Sequence, residues 1–265
     1  LGGDSIKAIR IISKLRNAGY TVTVKEIMNC KTVERIAGVL KVEREVYKYE
    51  QGEVSGKVEK TPIIHEFEKW KLAKPENFNQ TMMFDVSGID NEIIKQSIEV
   101  LVKHHDALRA IYRDGELEIL PVSESKMFDF YAFDYTDVAD PHKAIDEKCV
   151  EIQGSIDLSN GPIVKIAVFD LGNEKLMMFC IHHLAVDGVS WRILGDDFAA
   201  VSEQLINDRD IKLPAKTASY IDWGHAVNAI RESEKFKPDM LYWKNIEEQL
   251  SNCCFISENN SDEYN

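Results

Sequence analysis

No CxxC pair occurs among the five cysteines, Cys30, Cys149, Cys180, Cys253 and Cys254. An odd number without that spacing offers neither a disulfide framework nor a cysteine zinc cluster, and it points to a reducing cytoplasm. Basic residues are short, with 32 Lys and Arg against 45 Asp and Glu and a formal charge of −13. Such a chain lacks the basic face that displaces counterions from phosphate, so a general nucleic-acid binder is excluded. Long hydrophobic runs are missing too. The richest, Ile163 to Leu184, is interrupted by Lys165, Asp170, Glu174 and Lys175, and no run reaches the roughly 18–20 apolar residues that cross a bilayer. Neither nucleic acid nor membrane is expected as a partner. There is no basic-then-apolar leader, and the chain opens on Leu-Gly-Gly-Asp without an initiator Met, which reads as a piece of a longer polypeptide. Internal repeats and low-complexity tracts are also lacking.

What is present is a globular composition: 265 residues, 44% hydrophobic and 29% charged, enough to fill a core. Charge is unevenly divided. Residues 1–60 hold twelve Lys and Arg against eight acidic residues, whereas residues 61–265 hold 20 against 37. Between them, residues 41–60 mix charge with Gly52, Ser55 and Gly56 and lack a sustained apolar face, as a solvated linker does. The expected organisation is a domain over 1–40, a linker over 41–60 and a domain over 61–265.

In the first segment Ile6, Ile9, Ile12 and Leu15, with Ala8 and Ile11, predict an amphipathic helix closed by Gly19. Short helices follow over Lys25 to Asn29 and Thr32 to Leu40, the latter N-capped by Thr32 without a full capping box, since Arg35 stands where Glu would. At the start, Leu1-Gly2-Gly3-Asp4-Ser5-Ile6 fits two readings. Asp4 or Ser5 serves as a helix N-cap, or the Ser5 hydroxyl accepts a phosphodiester at the positive end of the helix. This motif, followed by Lys7-Ala8-Ile9-Arg10, resembles the core of a peptidyl carrier domain of nonribosomal peptide synthetases. The resemblance covers residues 1–40, a partial domain. It implies 4′-phosphopantetheine carried covalently on Ser5. Asp4 before the Ser is similar to carriers that feed epimerization domains, where those feeding condensation domains more often have His.

The second segment reads as α/β. Helical spacing runs from Asn91 to Tyr112 and stops at Arg113-Asp114-Gly115; Glu116 to Val122 then alternates as a strand. A helix is predicted over His142 to Gln153, and a hairpin joins Pro162–Phe169 to a nearly all-apolar strand, Lys175–Ile181, at Gly172-Asn173. Helices are predicted over Trp191–Asn207, Ser219–Lys235 and Lys237–Leu250. The polar tail Ser257 to Asn265 reads as disordered. The apolar strand runs into His182-His183-Leu184-Ala185-Val186-Asp187-Gly188. Consecutive strand residues face opposite sides, so one imidazole packs inside while the other can face a cleft. Adjacent histidines lack the helical spacing that aims two rings at one metal, so no metal site is expected. Asp187, if buried, needs a partner, and Gly188 permits a sharp turn beside it.

The pattern His182-His183-x-x-x-Asp187-Gly188 resembles the HHxxxDG signature of the condensation and epimerization superfamily, which includes chloramphenicol acetyltransferase. Val189-Ser190-Trp191 after the Gly is similar to epimerization domains. Phe78-Asn79-Gln80 and His104-His105-Asp106-Ala107-Leu108-Arg109 are further matches. The opening Thr61-Pro62-Ile63 departs from the family pattern, with Ile64 in place of Gln, Glu66-Phe67 at the aromatic pair and Trp70 late. The resemblance implies an α/β (α+β) chloramphenicol acetyltransferase-like lobe with a mixed or antiparallel sheet, preceded by a partial all-α carrier domain. It makes His183 the general acid/base and His182 its packed neighbour, with Asp187 and Gly188 structural. Arg109 is a candidate partner for Asp187, or is solvated, or serves Asp106. His104-His105 and Trp191 read as structural.

The implied reaction is epimerization of a carrier-tethered L-aminoacyl or peptidyl thioester to its D form. The second acid/base, a Glu in the family, belongs to a C-terminal lobe absent from these residues, so the chain alone is expected to be nearly inactive. Implied partners are an upstream adenylation domain, the other half of the carrier, that C-terminal lobe and a downstream condensation domain. The rivals are a condensation domain forming peptide bonds and a non-catalytic scaffold remnant.

Overall fold

The computed structural model describes residues 4–42 and 49–251. Cys253, Cys254 and the tail Ser257 to Asn265 lie outside the described residues, as do Leu1, Gly2 and Gly3.

The N-terminal unit consists of α1 (Ser5–Asn17), β1 (Tyr20–Thr21), α2 (Val24–Cys30), α3 (Val33–Val39) and β2 (Lys41–Val42). Ala8, Val22 and Ile27 form its small core, with Ile12, Leu15, Ile36 and Leu40 packed around them. The inward stripe of α1 is therefore Ala8-Ile12-Leu15. Ile9 and Ile11, counted with the apolar face in the sequence, are exposed, because a single helix turn cannot aim adjacent and alternate positions at one small core. Gly19 has φ of +82°, the left-handed conformation expected after the helix. Thr32 caps α3 by accepting from the Arg35 N–H, as predicted. Thr23 and Glu26 form a full capping box on α2.

The expected linker is mostly exposed where it is described, but it is pinned to its neighbours rather than free. Residues 41–42 pair with β1, and the Gln51 side chain donates to the Lys216 carbonyl. The Val54 N–H donates to Asp106, and β3 (Gly56–Val58) pairs with a strand of the following domain, Val58 being buried. Three residues suffice for an edge strand when one apolar side chain points inward, and so brief a signal disappears among the surrounding charges.

The larger unit continues through α4 (Pro62–Trp70), β4 (Asn79–Asp85), α5 (Asn91–His104), β5 (Ala110–Arg113), β6 (Glu116–Ile119), β7 (Asp129–Asp134), α6 (Pro141–Gln153), β8 (Val164–Asp170), β9 (Lys175–His182), α7 (Gly188–Ile206), α8 (Tyr220–Arg231) and α9 (Lys237–Ser251). Its main sheet has the order β4-β9-β8-β7. β4, β9 and β8 run antiparallel and β7 parallel to β8, so the sheet is mixed. A smaller sheet has the order β3-β6-β5. The predicted hairpin is β8–β9, turning at Gly172 with φ of +85°. β9 is buried from Met177 to His182, and each large apolar side chain so covered contributes about 1.5–3 kcal/mol. Among the described residues no helix is long and apolar enough to cross a membrane.

The helix predicted over Asn91–Tyr112 ends at His104, gives a 3₁₀ turn over Asp106–Arg109 and becomes strand β5. Arg109 explains the break. Its buried guanidinium donates to the carbonyls of Val102, Lys103, Leu120 and Val54 at 2.8–3.1 Å and to Asp106 Oδ1 at 2.8 Å. No continuous helix could bring those four carbonyls to one side chain. Lys216 donates to the other Asp106 oxygen at 2.8 Å. Of the alternatives read from the sequence, Arg109 serves Asp106 and does not pair with Asp187.

Arg109, Asp106 and Lys216 thus tie three loop segments together, and a further ion pair lies within the main sheet. Lys165, in the buried part of β8, meets Asp129 of β7 at 2.6 Å, and the parallel register sets the two residues opposite each other. Asp129 also pairs with Lys126, so it keeps a partner when Lys165 is removed, whereas removing Asp129 leaves the buried Lys165 ammonium unpaired. Asp129→Ala is expected to lower stability by about 3–5 kcal/mol in urea unfolding, with much of that recovered when Lys165→Met is added. Burial works to raise the Asp106 carboxyl, but the hydrogen bonds from Lys216, Arg109 and the Val54 N–H outweigh it and hold the group below the usual carboxylate range. A depressed folded-state pKa stabilises the fold above the ordinary value of about 4 and is lost as pH falls through the depressed one. Asp106→Asn is therefore expected to be less stable at neutral pH and to lose less stability on acidification than the parent, measured as urea midpoints against pH.

Candidate active site

The central strand sorts the two histidines. β9 is hydrogen-bonded on both sides and buried on both faces, so at its end adjacent side chains must point oppositely. His182 goes inward and has no exposed surface. Its Nε2–H donates to the Pro75 carbonyl at 2.9 Å, its Nδ1 accepts from the Leu184 N–H at 3.2 Å, and its ring meets Phe67 and Phe78 edge-on. Burial pushes this imidazole's pKa down, against the opposite pull of the Pro75 carbonyl. It is a neutral, satisfied core residue.

His183 is half-buried. Its backbone N–H donates to the Phe78 carbonyl at 2.9 Å, and its ring stacks on Phe78 with centroids 4.8 Å apart and planes 18° from parallel. Nδ1 lies 2.7 Å from the Val186 carbonyl oxygen and Nε2 lies 2.9 Å from Gln80 Nε2. A carbonyl only accepts, so the Nδ1 proton is donated there and the Nε2 lone pair is the ring's basic site. Both nitrogens of this imidazole are engaged.

Asp187 is exposed, not buried, and caps α7. Its Oδ1 accepts from the N–H groups of Val189 and Ser190 at 3.0 and 2.8 Å and from the Ser190 hydroxyl at 2.8 Å. Ser190 Oγ accepts in return from the Asp187 N–H, which completes a capping box. Partial desolvation works upward on this carboxyl, but the Ser190 and Val189 donors prevail and hold it below the usual range. The aspartate anchors the loop that carries Val186, the partner of His183. Gly188 opens α7 without a left-handed φ, and a Cβ there would meet nothing within 4 Å. The sharp turn expected of it is not made.

Trp191 is buried edge-on against Phe179, as its core reading required. It also does something the sequence did not disclose: Nε1–H donates to Gln80 Oε1 at 2.8 Å. Gln80 sits on β4 opposite Ile181 in the strand register, and its place in Phe78-Asn79-Gln80 was its sign in the sequence. His104 and His105 end α5; His105 bonds Asp197 at 2.8 Å, and burial, then the neighbouring His105, push His104 down. Ser5 is the first residue of α1; its side chain is outside the described ones. Asp4 accepts from the Lys7 N–H at 2.7 Å and so caps that helix. A phosphodiester at the first residue of α1 would sit at the positive end of its helix, which fits such a group. Two surface grooves, of about 580 Å³ between α4 and α8 and about 420 Å³ beside Val189, Arg192 and Ala218, are not lined by His183.

Removing the cap of α7 isolates the structural role of Asp187. Asp187→Ala is expected to cost about 1 kcal/mol, as a lost N-cap does, read from thermal or urea unfolding.

Residues 67–262 match the family model described as Condensation domain, and residues 1–40 match the one described as Phosphopantetheine attachment site. Gramicidin S synthase 1 of Brevibacillus brevis is 36% identical over 250 residues, 93% of this chain and 23% of that protein. Surfactin synthase subunit 1 of Bacillus subtilis (strain 168) is 34% identical over 261 residues, 94% of this chain and 7% of that protein. The chain therefore spans less than a quarter of the length of these relatives. Among solved structures, the epimerization domain from the third module of tyrocidine synthetase B is similar with a TM-score of 0.72 and 35% identity, over 75% of this chain and 46% of that one. The starter condensation domain of rhizomide synthetase shares the fold at a TM-score of 0.60 and 17% identity, over 77% of this chain and 49% of that one. The chain belongs to the condensation-domain family of nonribosomal peptide synthetases, and a phosphopantetheine attachment site precedes that domain within it.

Proposed function

We propose that this chain forms one wall of an epimerization site, in which His183 moves the α-proton of an L-aminoacyl or peptidyl thioester on the way to its D-epimer. The observation that carries the reading is the orientation of His183: Nδ1–H is committed to the Val186 carbonyl, so Nε2 is a proton acceptor just past the end of the central strand β9. Epimerization in particular is supported by the 35% identity to an epimerization domain against 17% for a condensation domain. The run Val189-Ser190-Trp191 and Asp4 agree with it. Ser5 would hold the phosphopantetheine group, whose thiol supplies the thioester linkage to the substrate.

In this reading the α-carbon C–H bond breaks, its electron pair delocalises into the thioester carbonyl, and the proton passes to Nε2. One imidazole transfers a proton in either direction near neutral pH. Delivery to the opposite face needs a second acid/base, and an environment shielded from water must stabilise the enolate. Neither surface groove reaches His183, which fits a site completed by a second lobe.

Deuterium wash-in at the α-carbon of a carrier-bound thioester tests the proposal. The full-length synthetase is expected to exchange, His183→Ala to fall by about 10²–10⁴-fold as loss of a general base does, and this chain alone to show almost none. Undiminished exchange by His183→Ala would remove the base assignment. Peptide-bond formation without α-exchange would assign the site to condensation instead.

A further inference from the structure

Three hydrogen bonds run through the site in one direction, and chemistry fixes both ends. Trp191 Nε1–H can only donate, so the Gln80 atom facing it at 2.8 Å is the carbonyl oxygen. The Gln80 amide group then points its N–H at His183 Nε2, 2.9 Å away. The Val186 carbonyl can only accept, so the ring ends the chain by donating from Nδ1 over 2.7 Å. Reversing the Gln80 amide would set its NH₂ against the Trp191 N–H, two donors facing each other. The order Trp191→Gln80→His183→Val186 is the one that satisfies every atom.

We propose that Gln80 is a positioning residue for the proton transfer, oriented by Trp191 so that its N–H holds Nε2 of His183 as a lone-pair acceptor until the substrate C–H takes its place. This deepens the reading of His183 as the base and rests on it. Gln80 gains and loses no proton. The α-carbon C–H bond breaks with its electron pair left on the substrate, a new N–H bond forms at Nε2, and the Gln80 N–H must then withdraw because two donors face each other. The contact therefore favours the proton-free ring before transfer and opposes retention of the proton after it. Phe78, stacked at 18°, restricts tilting of the ring away from this contact. The residues come from β4, the end of β9 and the first turn of α7, so no short sequence motif contains them all.

The test compares two substitutions with opposite meaning for structure and for proton transfer. Gln80→Glu keeps the shape and can still accept from Trp191, but its second oxygen accepts from Nε2–H and so favours the wrong protonation state. Gln80→Leu removes both bonds and leaves Nε2 unopposed. ¹⁵N NMR of the histidine rings in this chain is expected to show a protonated Nδ1 and an unprotonated Nε2 for His183 in the parent and in Gln80→Leu, and a protonated Nε2 in Gln80→Glu. In the full-length synthetase, α-deuterium exchange is expected to fall by about tenfold for Gln80→Leu, the scale of one hydrogen bond, and by on the order of a hundredfold for Gln80→Glu.

A purely structural glutamine predicts the reverse order, with Glu the milder change. That order, or a protonated Nε2 in the parent ring, overturns this inference while leaving His183 as the base. Exchange that survives His183→Ala overturns the base reading itself, whatever Gln80 does.

Discussion

A strand hydrogen-bonded on both sides and covered on both faces leaves its residues no choice of environment. β9 is such a strand, between β4 and β8, and its last residue and the one after it are both histidines. The pleat sends His182 into the core, where Pro75 and Leu184 satisfy both nitrogens. His183 is sent to the other side, where Phe78 stacks on it and Gln80 and Val186 engage its nitrogens. A slip of one residue in the β4–β9 register would exchange the two rings and bury the wrong one.

Around this point the fold spends polar interactions on holding loops still. Asp187 caps α7 and so places Val186, and the Trp191 one helical turn further on reaches back to Gln80. Arg109, Asp106 and Lys216 tie the segment before β3, the end of α5 and the approach to α8 into one buried knot. The two systems do not touch through Arg109, and their roles differ: one orients a ring, the other closes the scaffold behind it.

Much of this was readable from local pattern. The β8–β9 hairpin, the helices around α6, α7 and α9, the cap at Thr32 and the opposed environments of the two histidines all follow from residues a few positions apart. The departures have different physical causes. The helix continuing past His104 was stopped by carbonyls gathered around Arg109, two of them from β6's end and the segment before β3. The short strand β3 was masked by its charged neighbours, and the Asp187 carboxylate, expected to need a partner if buried, is exposed and accepts from the first N–H groups of its own helix. Gln80 was visible only as part of a motif, because its partners His183 and Trp191 lie 103 and 111 residues further along.

The amino-acid sequence alone settled the elements, their amphipathic faces, the family resemblance and the necessity that one histidine be buried, since these depend on periodicity and on neighbours within a turn or a pleat. Tertiary structure decided which groups meet: Lys165 with Asp129, Arg109 with Asp106, and Gln80 between Trp191 and His183. Hydrogen bonds act over about 3 Å, and which distant side chains come that close is set by strand register and helix packing, not by spacing along the chain.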